Sequence, residues 1–114
     1  ARVLGRYVRE QETLSLMDAL RKMTLMPARR LEASTPAFKD KGRIRAGAVA
    51  DITIFDPARV SDRATYEQPA AHSEGIDTVL VAGVAVVAHQ SLVDGAAPGR
   101  PLRAPTASAA PPSP

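Results

Sequence analysis

The chain has 114 residues, which is enough for one small domain and too few for two. It contains no cysteine, which excludes a disulfide framework and a thiol nucleophile and suits a reducing cytoplasm. The net charge is +3, but the basic residues are dispersed without interleaved aromatic residues, which argues against nucleic-acid binding. No apolar run approaches the roughly 20 residues of a membrane span. We therefore predict a cytoplasmic domain with no nucleic-acid or membrane partner.

The first third of the chain has the apolar spacing of three helices. The stretch RVLGRYVREQ predicts the first helix, and Ser15 with Asp18 three residues on predicts the capped start of the second. Pro27 suits a first helical turn and predicts a short third helix over residues 28–31. The predicted apolar faces are Val3, Leu4, Tyr7 and Val8 in the first helix and Leu16, Ala19, Leu20 and Met23 in the second.

The second half of the chain predicts strands. DITIFDP alternates in a β-rich run, and IDTVLVAGVAVVAHQ predicts a hairpin that turns at Ala82-Gly83. Because helices precede strands without alternating, the fold class is α+β and not a parallel α/β unit. The Pro- and Ala-rich residues 104–114 predict a disordered tail.

The stretch GRIRAGAVADITIFDP has the glycine spacing of a phosphate-binding loop. Such a loop needs Lys and Ser or Thr after the second glycine, but Ala48 and Val49 follow Gly47 here, and the strand comes after the glycines. The stretch is therefore not predicted to be a nucleotide-binding loop. We predict instead that Gly42 and Gly47 adopt positive φ, that residues 42–45 form a short β-segment, and that Asp51 caps backbone groups of that turn.

The same stretch carries a resemblance. KGRIRAGAVADITIFDP resembles the segment that closes many amidohydrolase-superfamily enzymes, and its matching positions are Gly42, Ile44, Gly47, Ala50 and Asp51. The flanks resemble those of N-acyl-D-amino-acid deacylases, also called D-aminoacylases, in the stretches RVLGRYVRE, SLMDALRKMTLMPARRL, VSDRATYEQP, EGIDTVLVAGVAVV and PGRPLR. The resemblance covers about residues 2–103.

The resemblance implies a zinc-dependent hydrolase in which a metal-bound hydroxide attacks an amide C–N bond that is not a peptide bond. It implies that residues 1–34 are the terminal helices of a (β/α)₈ barrel and residues 42–103 part of a composite β-sandwich. The metal ligands and catalytic residues would lie before Ala1, so none is assigned to this chain. The implied partners are the missing barrel portion, in the same or a second chain, and a small N-acyl-D-amino acid substrate.

The sequence gives little evidence for a catalytic or metal site formed by this chain alone. His72 and His89 are the only histidines and lack metal-ligand spacing, and Ser15 lacks a His–Asp partner pattern. Asp51 and Asp56 would lie about 16 Å apart along a strand, too far for shared acid–base work. The pair Arg29-Arg30 has the pattern of an exposed helix surface. We therefore predict that the isolated chain is inactive; the alternative hypothesis is an inactive, self-associating interaction module that forms a homo-oligomer.

Overall fold

A computed structural model describes residues 1–104 of the chain. The tail predicted for residues 104–114 lies outside the described residues, apart from Ala104. The elements are, in chain order, a π-helix (Val3–Glu10), α1 (Leu16–Met23), α2 (Leu25–Glu32), a 3₁₀ helix (Pro36–Asp40), β1 (Ile52–Phe55), β2 (Ile76–Val81), β3 (Val84–Ala88) and β4 (Ser91–Leu92). The predicted α+β order is confirmed. Within residues 1–104, no helix combines the length and apolarity that a bilayer crossing requires.

The start of α1 is fixed by its capping residue, as the sequence predicts. The Ser15 hydroxyl accepts the Asp18 backbone N–H at 3.1 Å and donates to the Asp18 carboxylate at 2.8 Å. This satisfies a backbone donor that has no partner inside the helix. The apolar face of α1 then packs through Ala19, which is fully buried.

The other two helices differ from their predictions. The first is a π-helix, in which the Gln11 N–H bonds to the Arg6 carbonyl five residues back, and Tyr7 of its predicted apolar face is 40% exposed. The third helix, α2, starts at Leu25, earlier than the predicted start at residue 28. Pro27 lies in its first turn, where a missing N–H breaks no helical hydrogen bond.

The four strands form one antiparallel sheet in the order β1-β2-β3-β4. The predicted hairpin between β2 and β3 is confirmed, with φ of 50° at Ala82 and 81° at Gly83. Two consecutive positive φ values are the signature of a type I′ turn, whose twist matches that of the paired strands. A second two-residue turn with positive φ, at His89 and Gln90, leads into β4.

The predicted β-segment at residues 42–45 is wrong. Only Gly42 of this stretch lies in a turn, and Ile44 and Arg45 have no regular secondary structure; the 3₁₀ helix Pro36–Asp40, which was not predicted, precedes it. The physical reason is that the backbone turns at Gly42, with φ of 69°, and again at Gly47, with φ of 83°. Both glycines therefore have the positive φ that was predicted, but the turns are too close together for a strand to form between them.

The core lies between the helices and one end of the sheet. Its buried members are Leu4, Ala19 and Val60. Partly buried residues pack around it: Ala1, Val3, Val8, Leu16, Leu20, Phe55 and Ile76. Only Phe55 and Ile76 come from strands, so the helices cover only one end of the sheet.

The sheet is apolar on both faces. Val79 pairs with Val87, which pairs with Leu92, whereas Leu80 pairs with both Ile52 and Ala85. Neighbouring residues of a strand point to opposite faces. Val79 and Leu80 of β2 therefore place apolar side chains on both sides of the sheet, although the pairing with β3 shifts register between them. No strand residue is buried. Residues 1–104 therefore cover the two apolar sheet faces only in part.

Candidate functional site

The glycine motif, which runs from Gly42 to Asp51, connects the helices to the sheet. Its first residue packs against the junction between α1 and α2. A Cβ atom at Gly42 would lie 2.5 Å from the Thr24 carbonyl oxygen and 2.9 Å from the Leu25 Cα. Real Cβ atoms essentially never come this close to backbone, so only glycine fits here without a shift of the chain. Gly42 therefore sets how closely the motif approaches the two helices.

The end of the motif holds the hairpin turn. One carboxylate oxygen of Asp51 accepts the Ala82 backbone N–H at 2.9 Å, and the other forms an ion pair with the Lys41 ammonium. The Ala50 carbonyl accepts the Gly83 N–H at 2.9 Å. Asp51 was predicted to cap the glycine turn; it caps the β2–β3 turn instead, because the antiparallel pairing of β1 with β2 places the start of β1 beside that turn.

Ion pairs reinforce the connection. Arg43 pairs with Glu32 at the end of α2, and Arg45 pairs with Asp40 at the end of the 3₁₀ helix. Two other motif positions contact little: Ile44 is 90% exposed, and nothing lies within 4 Å of a Cβ built on Gly47. The motif is thus held at both ends and by the ion pairs of Arg43 and Arg45, whereas Ile44 remains exposed.

The pKa of the Asp51 carboxyl is lowered from 3.8, chiefly by its hydrogen bond with Lys41 and then by the Ala82 N–H. A carboxyl with a lower pKa in the folded state stabilises the fold above its unfolded pKa, and this contribution is lost as the pH falls. We therefore expect stability to decrease below about pH 4, with a shallower decrease in Asp51→Asn. Urea unfolding between pH 2 and 6 measures both curves.

Asp94→Asn is the matched control for this experiment, because Asp94 makes none of the contacts that Asp51 makes. Its stability curve should keep the acid slope of the unmodified protein. An unchanged acid slope in Asp51→Asn would contradict the role assigned to the Asp51 carboxylate.

The two histidines lie outside the helices and strands. His72 lines an open groove of about 500 Å³ together with Val79, Val87 and Leu92, and His89 lies in the turn before β4. Within residues 1–104, no group of three or more His, Cys, Asp or Glu side chains is arranged to hold a metal ion.

The remaining candidates have local roles. The Asp56 carboxylate accepts the Ala58 N–H at 2.8 Å, so it shapes the turn after β1, whereas Asp51 holds the hairpin turn. Ser15 is occupied as a helix cap. Arg29 and Arg30 are exposed on α2. Within residues 1–104, none of the Asp and His candidates belongs to a cluster that could hold a metal ion.

Sequence reasoning missed Arg9, the residue that joins the first helix to the turn after β1. The Arg9 guanidinium donates to the Val60 carbonyl at 2.7 Å and to the Pro57 carbonyl at 3.1 Å. Gly5, one turn earlier, lies so close that an added Cβ would be 2.8 Å from the Val60 carbonyl oxygen. An arginine on a predicted helix surface gives no sign of which distant carbonyls it will reach, so a single sequence offered no signal.

These features define an α+β unit whose glycine motif braces a sheet that is apolar on both faces. Residues 1–87 match the model described as the amidohydrolase family, and the chain belongs to this family. This agrees with the resemblance carried by the glycine motif and its flanks.

Known deacylases are similar to most of this chain. It is 51% identical over 85 residues to an N-acyl-D-glutamate deacylase of Alcaligenes xylosoxydans xylosoxydans, covering 75% of this chain and 16% of the relative. A D-aminoacylase of the same organism is 39% identical over 90 residues, covering 79% of this chain and 18% of that protein. The chain thus spans less than a fifth of the length of these relatives.

Solved structures match the fold. An N-acyl-D-glutamate deacylase from Bordetella bronchiseptica, complexed with zinc and a phosphonate inhibitor, matches with a TM-score of 0.76 and 46% identity, over 90% of this chain and 20% of its own. A D-aminoacylase structure matches with a TM-score of 0.70 and 38% identity, over 82% of this chain and 19% of its own. Related D-aminoacylase structures concern a binuclear metal centre and a copper complex.

Proposed function

We propose that this chain is the C-terminal structural segment of a metal-dependent N-acyl-D-amino-acid deacylase. In this proposal residues 1–34 complete the barrel domain, and residues 42–103 form part of a β-sandwich. The complete cytoplasmic enzyme hydrolyses the amide bond of an N-acyl-D-amino acid. The chain itself braces the enzyme and contributes no catalytic residue.

One observation carries the proposal: the sheet is apolar on both faces and buries no residue of its own. Strands that are apolar on both sides are typical of sheets covered on both sides. The deacylases that match this chain are at least five times longer than the part that matches, which leaves ample protein to provide such a cover. A structural role fits a sheet that needs this cover.

The residues described here do not fit a zinc site. Catalytic zinc takes three protein ligands, usually His, Asp, Glu or Cys, from a rigid frame, and no such cluster exists within residues 1–104. We therefore place the zinc ligands, and with them the chemistry, in the part of the enzyme outside this chain. The zinc named for the Bordetella relative supports zinc as the metal of the complete enzyme.

The glycine motif has a specific role in this proposal. Gly42 fixes the approach to α1 and α2, and Asp51 fixes the β2–β3 turn, so the motif sets the position of the sheet relative to the helices. Ile44, which is 90% exposed between Arg43 and Arg45, is then available to contact the rest of the enzyme. The motif would act by positioning and not by binding substrate.

The decisive experiment is to isolate the native polypeptide that carries this sequence and to measure its mass and zinc content. We expect a mass several times 12.0 kDa, bound zinc, and hydrolysis of N-acetyl-D-glutamate that a chelator abolishes. A 12.0 kDa polypeptide without a larger companion chain would overturn the proposal, as would chelator-sensitive hydrolysis by the pure 114-residue chain.

The histidines provide a direct test of where the metal is held. In the complete enzyme we expect His72→Gln and His89→Asn to keep the zinc content and the hydrolytic rate unchanged, because neither imidazole belongs to a ligand cluster. Asn is used at His89 because it tolerates the positive φ of 50° found there. Loss of zinc from either variant, measured by elemental analysis, would contradict the placement of the ligands outside this chain.

A second candidate function is an inactive module that self-associates. The observation in its favour is that β1 lies at the edge of the sheet and includes Ile54, which is 51% exposed. Exposed apolar edge strands tend to pair with other chains. A native mass that is a small multiple of 12.0 kDa, built only from copies of this chain, would favour this candidate.

A further inference from the structure

A groove of about 750 Å³ lies between the 3₁₀ helix, the start of β1, the end of β2 and the stretch that follows β4. Its large apolar lining residues are Phe38, Val49, Val81, Pro98 and Leu102. Val49 is 58% exposed and Leu102 is 42% exposed, so apolar surface in the groove is open to solvent. Small-molecule sites are typically roughly 300–1,000 Å³ in volume and are lined mostly by apolar side chains. This feature, called the Arg100 groove below, has the size and the lining of such a site.

The charged residues that line the Arg100 groove are two cations and one anion: Lys41, Arg100 and Asp51. Lys41 forms an ion pair with one carboxylate oxygen of Asp51, and the other oxygen accepts the Ala82 N–H. Arg100 forms no ion pair with any residue that the structure describes. A guanidinium carries five N–H donors in a planar arrangement that matches a carboxylate. The groove therefore has an excess positive charge that favours an acidic occupant.

The groove lined by His72 provides a contrast within the same sheet. Its lining includes Val79, Val87 and Leu92 but no Asp, Glu, Lys or Arg side chain. Complementary charge gives a binding site specificity that apolar contact alone does not supply. The Arg100 groove is therefore the one of these two grooves that can select its occupant by charge.

We propose that the Arg100 groove binds a small carboxylate that carries an apolar tail. The Arg100 guanidinium holds the carboxylate, and the tail covers the exposed parts of Val49 and Leu102. Charge-assisted hydrogen bonds from arginine to a carboxylate are among the stronger polar contacts in proteins. This proposal goes beyond the proposed function, because it assigns a ligand site to residues of this chain and requires no zinc ligand.

Isothermal titration calorimetry of the native polypeptide with octanoate tests the proposal. Acetate has the carboxylate without the tail, and octylammonium has the tail with the opposite charge. We expect saturable binding of octanoate that is at least about fivefold tighter than that of either comparison compound, because only octanoate matches both the cation and the apolar lining.

Two arginine substitutions in the native polypeptide locate the octanoate site. Arg100→Gln and Arg103→Gln each remove one positive charge from an exposed position, but Arg103 does not line the groove. We expect the octanoate affinity to fall at least about fivefold in Arg100→Gln and less than about twofold in Arg103→Gln. Circular dichroism checks that both variants keep the fold, as expected for exposed positions.

Three results would overturn the proposal: no saturable octanoate binding, equal affinity for octylammonium, or equal losses of affinity in the two arginine variants. Equal losses would mean that general charge attraction, or a site elsewhere in the polypeptide, accounts for the binding. The proposed function is tested separately by the mass and zinc content of the native polypeptide. Octanoate binding in the groove depends on neither quantity, so either proposal can fail while the other stands.

Discussion

Replacing Gly42 with alanine is expected to lower the free energy of unfolding by about 3 kcal/mol, because backbone strain and a clash act together. At φ of 69° an alanine is strained, and its Cβ would lie 2.5 Å from the Thr24 carbonyl oxygen. The colliding atoms belong to backbone at the α1–α2 junction, so a side-chain rotation cannot relieve the contact. Urea unfolding followed by circular dichroism measures the loss.

Gly47→Ala is the matched control. Gly47 also has a positive φ, of 83°, but no atom lies within 4 Å of its added Cβ. Only the strain of the left-handed conformation remains, and we expect a loss of about 1 kcal/mol. The difference between the two variants isolates the close approach to the helices. Equal losses would show that Gly42 is needed for its conformation alone.

Replacing Arg9 with methionine is expected to lower the free energy of unfolding by about 2 kcal/mol, because two hydrogen bonds from a charged group are lost. The guanidinium joins the π-helix to the Val60 and Pro57 carbonyls, and methionine keeps most of the apolar stem. Val60 is 1% exposed in the core, so its carbonyl has little access to water as a replacement partner. Urea unfolding again measures the change.

Arg6→Met provides the comparison for Arg9. Arg6 lies in the same π-helix but is exposed, and it makes neither of the two carbonyl contacts. We expect its stability to change by less than about 0.5 kcal/mol, as is usual for surface substitutions. Similar losses in the two variants would mean that Arg9 acts through general charge or helix propensity and not through its carbonyl contacts.

The two predictions concern the same structural question. Gly42 controls how the glycine motif meets α1 and α2, and Arg9 controls how the first helix meets the turn after β1. Both contacts join the helices to the segments that flank the sheet. In the proposed enzyme, a loss at either place would change the position of the sheet while leaving the zinc ligands untouched.

Local chemistry allowed several elements to be predicted from the sequence. The Ser15 cap acts within three residues, and the Ala82-Gly83 turn acts within two. The positive φ of Gly42 and Gly47 follows from the one residue type that adopts it readily. The family could also be identified from the glycine motif and its flanks, because a single sequence displays both their residue types and their spacing.

Contacts between distant segments had to come from the tertiary structure. Asp51 reaches Ala82 across 31 positions, and Arg9 reaches Val60 across 51, and neither distance is encoded in local spacing. The atoms that approach Gly42 likewise depend on how the glycine motif packs against α1 and α2. The sequence by itself determined the order and type of most elements through local preferences. The tertiary structure decided which residues hold these elements together, because those contacts form only when separate segments of the chain pack against each other.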